Sequence, residues 1–237
     1  GALWGALRDP LGTAGAVLDD ARSVVRMVRP VTDTRSPIMR DRRLSRHLEL
    51  IDVDLAQLKA AAAVAAATLN DAFVAAVAGG MRRYHQAHCS CVARLRVTMP
   101  ISTRDGAADI GGNHVTLVRF DLPVGVTDPV ARMTQIHEIC RRERTEPGLD
   151  HSEAVAGALN LLPVSVTSQM LRHVDLLASN VPGLTSEVYL AGAKVVGFYP
   201  FGATLGSAAN ITLMSYRGTC HIGINTDSGA VPDPEVF

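Results

Sequence analysis

Over 237 residues, 23 basic side chains balance 23 acidic ones, and apolar residues make up 47% against only 19% charged, where about 25% charged is usual. The net charge of zero and the lack of a lysine/arginine block argue against nucleic acid as a partner, because proteins that track phosphates concentrate positive charge on one face. A chain of this length buries roughly 70% of the surface it exposes when unfolded, so neither disulfides nor a metal is required to hold its core.

Cys89, Cys91, Cys140 and Cys220 have no framework spacing, which leads us to expect a reducing, cytoplasmic compartment. The longest apolar stretch, Ala60 to Leu69, ends at Asn70-Asp71 and is too short for a span of about 20 residues. The first residue is glycine and no signal-peptide layout follows, so an internal fragment or a processed product is expected.

In chain order, residues 13–29 space Val17, Val24, Val25 and Val28 as an amphipathic helix between Thr13 and Pro30. Residues 30–46 carry prolines and arginines without periodicity and read as a surface linker into the main domain. His47 to Val53 alternates like a strand, and Asp54 then caps an alanine-rich helix to about Ala67. Thr68 and Asp71 have capping-box spacing, which predicts a second helix from Leu69 to about His85 that buries Phe73, Val74 and Val77. Val92–Ile101 and His114–Leu122 are strands about a polar loop, and Asp128-Pro129 opens a helix to about Glu146. Residues 152–174 read as two short helices broken at Pro163. Strands are expected at Leu176–Val181, Val188–Phe198, Ile211–Tyr216 and Cys220–Thr226, the last two joined by a tight Arg217-Gly218 turn. Early and late strands around central helices give an α/β class with mixed α+β character and a mixed sheet.

Local chemistry alone names no reaction. His85, His88, Cys89 and Cys91 are soft ligands close together, but no second pair stands at structural-zinc spacing, and a helix end is the better account. No G-x-S-x-G elbow is present. Gly111-Gly112-Asn113 fits neither phosphate-loop pattern and reads as a turn between strands. Asn70-Asp71 reads locally as a first helical turn. Ser179-Asn180-Val181-Pro182-Gly183 breaks an otherwise apolar strand, as a crossover or an approached edge would. Asn210 and Asn225 sit on core strands, and their amides require partners.

Several segments carry a resemblance in register: TLNDAFVAAVAGGMRRY (68–84), MPISTR (99–104), GGNHVTLVRFDLP (111–123), DPVARMTQIH (128–137), ASNVPG (178–183), YLAGAKVVGFYPFG (189–202) and NITLMSYRGTCHIGINTD (210–227). Together they resemble the C-terminal domain of the bacterial wax ester synthase/acyl-CoA:diacylglycerol acyltransferase family, with a mycobacterial triacylglycerol synthase flavour. The resemblance implies one lobe of a chloramphenicol acetyltransferase-like fold, in which two lobes of sheet and helices enclose a tunnel. Residues 1–46 would then be the helix and linker from a missing catalytic lobe, and 47–237 the C-terminal lobe.

In that family a histidine of an HHxxxDG motif acts as general base on the acceptor hydroxyl. The eight histidines here include no adjacent pair, so no catalytic residue is expected in this chain. The resemblance implies triacylglycerol formation from diacylglycerol, or wax ester from a fatty alcohol. Acyl-CoA would be co-substrate, without a cofactor or metal, and the partner would be an N-terminal HHxxxDG lobe. Contact with a membrane or lipid droplet is compatible with such substrates.

Residue by residue, Asn70 and Asp71 match the family's Asn-Asp element. Ser102, Thr103 and Arg104 match its Pro-x-Ser-x-Arg loop, with Arg104 facing either CoA phosphate or a structural acid. Gly112 and Asn113 match the Gly-Asn that begins the next strand, and Ser179 and Asn180 match the Ser-Asn-Val-Pro-Gly crossover. With Asn210 these are the expected tunnel or interface residues. The alternative expectation is a lobe that binds lipid or a partner without catalysis.

Overall fold

The computed structural model describes residues 31, 33–43, 45–102, 115–144 and 173–237, of which 101, 102, 115 and 116 are described by backbone alone. The elements are β1 (Arg46–Asp54), α1 (Leu55–Val64), α2 (Leu69–Ala87), β2 (Leu95–Ser102), β3 (Val115–Leu122), α3 (Pro129–Arg144), β4 (Leu176–Val181), β5 (Tyr189–Leu190), β6 (Ala193–Lys194), β7 (Ala209–Tyr216) and β8 (Thr219–Asp227). The reading of 13–29 as a helix lies outside the described residues, as does that of 152–174 except for residues 173 and 174, which are not helical.

The helix starts form as their sequences dictate. The Asp54 carboxylate accepts from Gln57 N at 2.8 Å, and Asp128 does the same for Ala131 N at 2.7 Å. Thr68 and Asp71 close a reciprocal capping box at α2. Arg141, Arg142 and Arg144 occupy the last turn of α3, where positive charge offsets the carbonyl end of the dipole. Arg132 of α3 lies beneath α2, its guanidinium donating to Ala75 O at 3.1 Å and Val126 O at 2.8 Å.

Six strands form one sheet in the order β1-β8-β7-β4-β2-β3, while β5 and β6 form a separate pair. β4 runs parallel to both its neighbours, and the remaining pairings are antiparallel. β4 matches β7 from Leu176 to Val181 but meets β2 only at Val97 and Thr98. Beyond those residues β2 and β4 part, which opens the sheet at their C-terminal ends.

One face of the sheet carries the core. Leu95, Val97, Met99, Val118, Phe120, Leu122, Leu176, Ala178, Ala209, Ile211 and Leu213 are buried there with Phe73, Val74, Val77 and Met81 of α2. The period of two along each strand sends the alternate residues to the opposite face, on which none of the described helices packs.

Two expectations are corrected. Val188–Phe198 is not one strand: Ala191 (φ 49°) and Gly192 (φ 84°) reverse the chain into two-residue arms, and residues 195–208 run irregularly over the sheet. Within 30–46, read as a surface linker, Ser36 and Met39 are fully buried. Residues 33–43 make neither helix nor strand, so the burial rests on single anchoring side chains that leave no periodic trace.

Candidate functional site

The sheet face opposite α2 is crossed by a strap formed by residues 195–205. Its anchors come from the sheet beneath. Asn210 Nδ2 donates to Ala203 O at 2.8 Å, and Asn225 Nδ2 donates to Gly202 O at 2.9 Å. Asn210 Oδ1 in turn accepts from Thr212 Oγ1 at 2.8 Å. The two amides that the sequence leaves in need of partners therefore hold backbone carbonyls of the strap. Nearer β1, the Tyr199 ring packs edge-on against His221, the centroids 4.8 Å apart, and its hydroxyl donates to Asp52 Oδ2 at 2.8 Å. The other Asp52 oxygen lies 2.7 Å from His221 Nδ1. The hydrogen bond from Tyr199, then that from His221, holds the Asp52 carboxyl below its ordinary pKa, and the Tyr199 phenol is raised in return.

Gly223 shows how closely the strap lies. A side-chain carbon there would collide with Pro200 O, so the backbone of β8 has to be bare for the strap to cross. Gly183, in the Ser-Asn-Val-Pro-Gly break, is pressed in the same way against the carbonyl of Ser215 in β7.

Between strap and sheet lies a cavity of about 390 Å³ at the end where β2 and β4 part. Its floor is Leu177, Ser179, Val181, Asn210 and Thr212. Pro100 and Leu117 form one wall, and Pro200, Phe201, Gly202 and Leu205 of the strap form the other. The lining is chiefly apolar, with hydroxyl and amide groups on the β4–β7 floor. Such a space accepts a hydrocarbon chain and orients a polar group at one side.

Of the expected site residues, Ser179 and Asn210 meet at this cavity. Asn180 is half-buried and alternates to the opposite face of β4. Ser102 ends β2, described by its backbone alone, while Thr103, Arg104, Gly112 and Asn113 lie outside the described residues.

Asn70 and Asp71 occupy the helix side. Asn70 Nδ2 points to Met99 Sδ at 3.9 Å and Cys140 Sγ at 3.8 Å. The Asp71 carboxylate accepts from Thr68 N at 2.9 Å and Thr68 Oγ1 at 2.7 Å, and lies 2.7 Å from His137 Nδ1. Burial pushes its pKa up, but the bonds from His137 and Thr68 outweigh that and hold it below the ordinary value. These two residues fasten α2 to α3 and β2 and do not line the cavity.

Among the described residues, no group of three or more His, Cys, Asp or Glu side chains is placed to hold a metal ion. In the His85–Cys91 stretch, His85 is buried against Ser36, His88 pairs with Asp233 and the two cysteines are exposed. No single described helix is long and apolar enough to cross a membrane. Sequence reasoning missed Phe201, Leu205, Leu117 and the Asp52–Tyr199–His221 set. The signals were present in Tyr199-Pro200-Phe201-Gly202 and in Gly223, but a residue's partner across a sheet is not written beside it.

The chain spans about half the length, or less, of curated relatives that it matches. A Mycobacterium tuberculosis protein named as a diacylglycerol O-acyltransferase is 35% identical over 98% of this chain and 48% of its own length. An Acinetobacter baylyi protein named O-acyltransferase WSD is 29% identical over 70% of this chain and 38% of its own. The solved wax ester synthase/diacylglycerol acyltransferase of Marinobacter aquaeolei VT8 superposes with a TM-score of 0.61 at 20% identity. That match covers 94% of this chain and 53% of the solved one. A nonribosomal peptide synthetase structure shares the fold with a TM-score of 0.58 at 14% identity, over 89% of this chain and 22% of its own. The family model described as WS/DGAT C-terminal domain matches residues 111–237, and the chain belongs to that acyltransferase family.

Proposed function

We propose that this chain is the C-terminal lobe of an acyl-CoA-dependent O-acyltransferase that forms triacylglycerol from diacylglycerol, or wax ester from a fatty alcohol. The observation that carries the reading is the apolar cavity between the strap and the opened β2–β4 edge, in a chain of this family. The catalytic histidine lies in an N-terminal HHxxxDG lobe outside this chain, a division supported by the half-length coverage of relatives. Exposed apolar side chains on the same face, among them Leu48, Leu50, Leu117, Phe201 and Leu205, are the surface that such a lobe would cover.

In the reaction, the histidine of the other lobe takes the proton of the acceptor hydroxyl as that oxygen attacks the thioester carbonyl. The tetrahedral intermediate expels the CoA thiolate, which takes up the proton, and the ester is left. This lobe's part is to hold the acyl chain among Leu117, Leu177, Val181, Phe201 and Leu205 and to exclude water there. Thr103, Arg104, Gly112 and Asn113 enter this proposal by family likeness alone. A cytoplasmic enzyme touching a membrane or lipid droplet accords with such substrates.

The test is to assay the chain with long-chain acyl-CoA and diacylglycerol or a fatty alcohol, alone and with an HHxxxDG lobe added. Ester formation only in the combined reaction is expected. Turnover by the isolated chain would overturn the placement of the base, and a chain that binds lipid but supports no turnover with the added lobe would mark a non-catalytic lipid-binding lobe.

A further inference from the structure

Residues 33–43 precede β1 and form an arm laid along the lobe. Arg42 fixes one end, donating to Gly206 O at 2.7 Å and Met39 O at 2.8 Å, and Arg43 N donates to Asp227 Oδ1 at 2.9 Å. The centre of the arm is Ser36, which has no exposed surface. Its Oγ lies 2.9 Å from Nε2 of His85, itself 1% exposed, and His85 Nδ1 lies 2.7 Å from Met81 O one turn earlier in α2.

These contacts fix the protons. A carbonyl only accepts, so Nδ1 carries the hydrogen, Nε2 offers its lone pair and the Ser36 hydroxyl donates to it. The same Ser36 oxygen accepts from Met39 N at 3.0 Å and Ile38 N at 3.3 Å, which uses its acceptor capacity. Beside it the Asp175 carboxylate accepts from Ser36 N at 2.9 Å, Arg35 N at 3.3 Å and Arg96 N at 2.7 Å.

We infer that Ser36 and His85 form an acid-sensitive clasp that fixes the 33–43 arm to the lobe while the imidazole is neutral and releases it when the imidazole is charged. A second proton on His85 would sit on Nε2 and point at an oxygen with no acceptor position left, between two residues that are both buried. The arm must then give up the Ile38 and Met39 N–H bonds or the Ser36 contact. The clasp rests on this geometry and does not depend on the acyl-transfer reading.

The surroundings agree with it. Burial, the largest influence, holds the His85 pKa below the ordinary 6.5, and His88 nearby acts in the same direction. His88 is itself paired with Asp233 at 2.9 Å, and the Tyr84 ring stands edge-on to His85 at 6.1 Å. The bond to Met81 O and the Asp175 charge oppose the shift. A histidine with a depressed pKa contributes stability that is present above its unfolded value and lost as the pH falls below it. Asp175 works in the other sense: burial raises its pKa, so its protonation relieves a buried charge as acid is added. Release of the arm in acid is therefore the work of His85.

The test is hydrogen exchange of the chain between about pH 7.5 and about pH 5, corrected for intrinsic rates, with the His85 ring followed by nitrogen NMR. The expected result is about tenfold loss of protection per pH unit at Ile38 and Met39 as the pH falls below the ordinary histidine value of 6.5, with Leu213 and Ile222 in the sheet unchanged. Ser36→Ala should loosen the arm at every pH and weaken its pH dependence, and Asp175→Asn should leave that dependence in place. Arm and sheet opening together, a flat arm while His85 titrates, or a Ser36→Ala arm with unaltered pH dependence would each overturn the clasp.

Discussion

The Tyr199 hydroxyl donates to Asp52 Oδ2 at 2.8 Å and so ties the strap to the edge strand β1, 147 positions earlier in the chain. Asp52 holds His221 with its other oxygen, and one carboxylate thereby joins the strap, β1 and β8. Because the Tyr199 bond is the first cause of the lowered Asp52 pKa, carbon NMR of the Asp52 carboxyl should find it titrating below the ordinary 3.8. In Tyr199→Phe it should move back up. A lowered carboxylate pKa means the tie is present above 3.8 and lost as the pH falls through the folded value. Asp52 titrating at its ordinary value in the unaltered chain would remove this tie.

Gly223→Ala tests the strap from below. The added methyl meets Pro200 O, a backbone atom that cannot swing aside, so the strap has to lift. A cost of about 1–3 kcal/mol is expected from urea unfolding. Limited proteolysis should cut within 195–208 faster than in the unaltered chain. An unchanged cleavage rate would mean that the strap does not rest on β8 in solution.

Much of this lobe can be read in its sequence, and the reason is local. Thr68-x-x-Asp71, Asp128-Pro129 and the Arg217-Gly218 turn (φ 47° and 85°) act within a few residues, so the helix starts and the β7–β8 hairpin stand where the spacing puts them. The site was legible only in part, because the cavity is a meeting of β2, β3, β4, β7 and the strap. Asn210 announced itself as a polar group on a core strand. At Phe201 and Leu205 the neighbouring proline and glycines mark only a break in the chain, since an apolar residue in an irregular segment reads alike whether it walls a cavity or covers a sheet. Met39 and Ser36 escaped for the same reason: isolated anchors have no period.

On the helix side, Asp71→Ala should cost about 1–3 kcal/mol, through the lost cap of α2 and the lost partner of His137. Its pKa is lowered in the fold, so its contribution is present above the ordinary 3.8 and lost as the pH falls through the folded value. The stability gap between Asp71→Ala and the unaltered chain, measured by urea unfolding at successive pH values, should narrow in acid. A gap independent of pH would mean that the carboxylate charge carries none of the effect.

The four thiols should divide by burial. Burial pushes the Cys140 thiol up to about 12, with the Asp71 charge adding to the shift, and burial likewise raises Cys220. Cys89 and Cys91 are exposed at the end of α2. Since the thiolate is the nucleophile, a disulfide reagent at neutral pH should modify Cys89 and Cys91 quickly and reach Cys140 and Cys220 only on unfolding. Mass spectrometry of the peptides identifies each site. Fast labelling of Cys140 in the folded chain would show that the α2–α3 contact around Asn70 opens, and with it the packing that holds the Asp71–His137 pair.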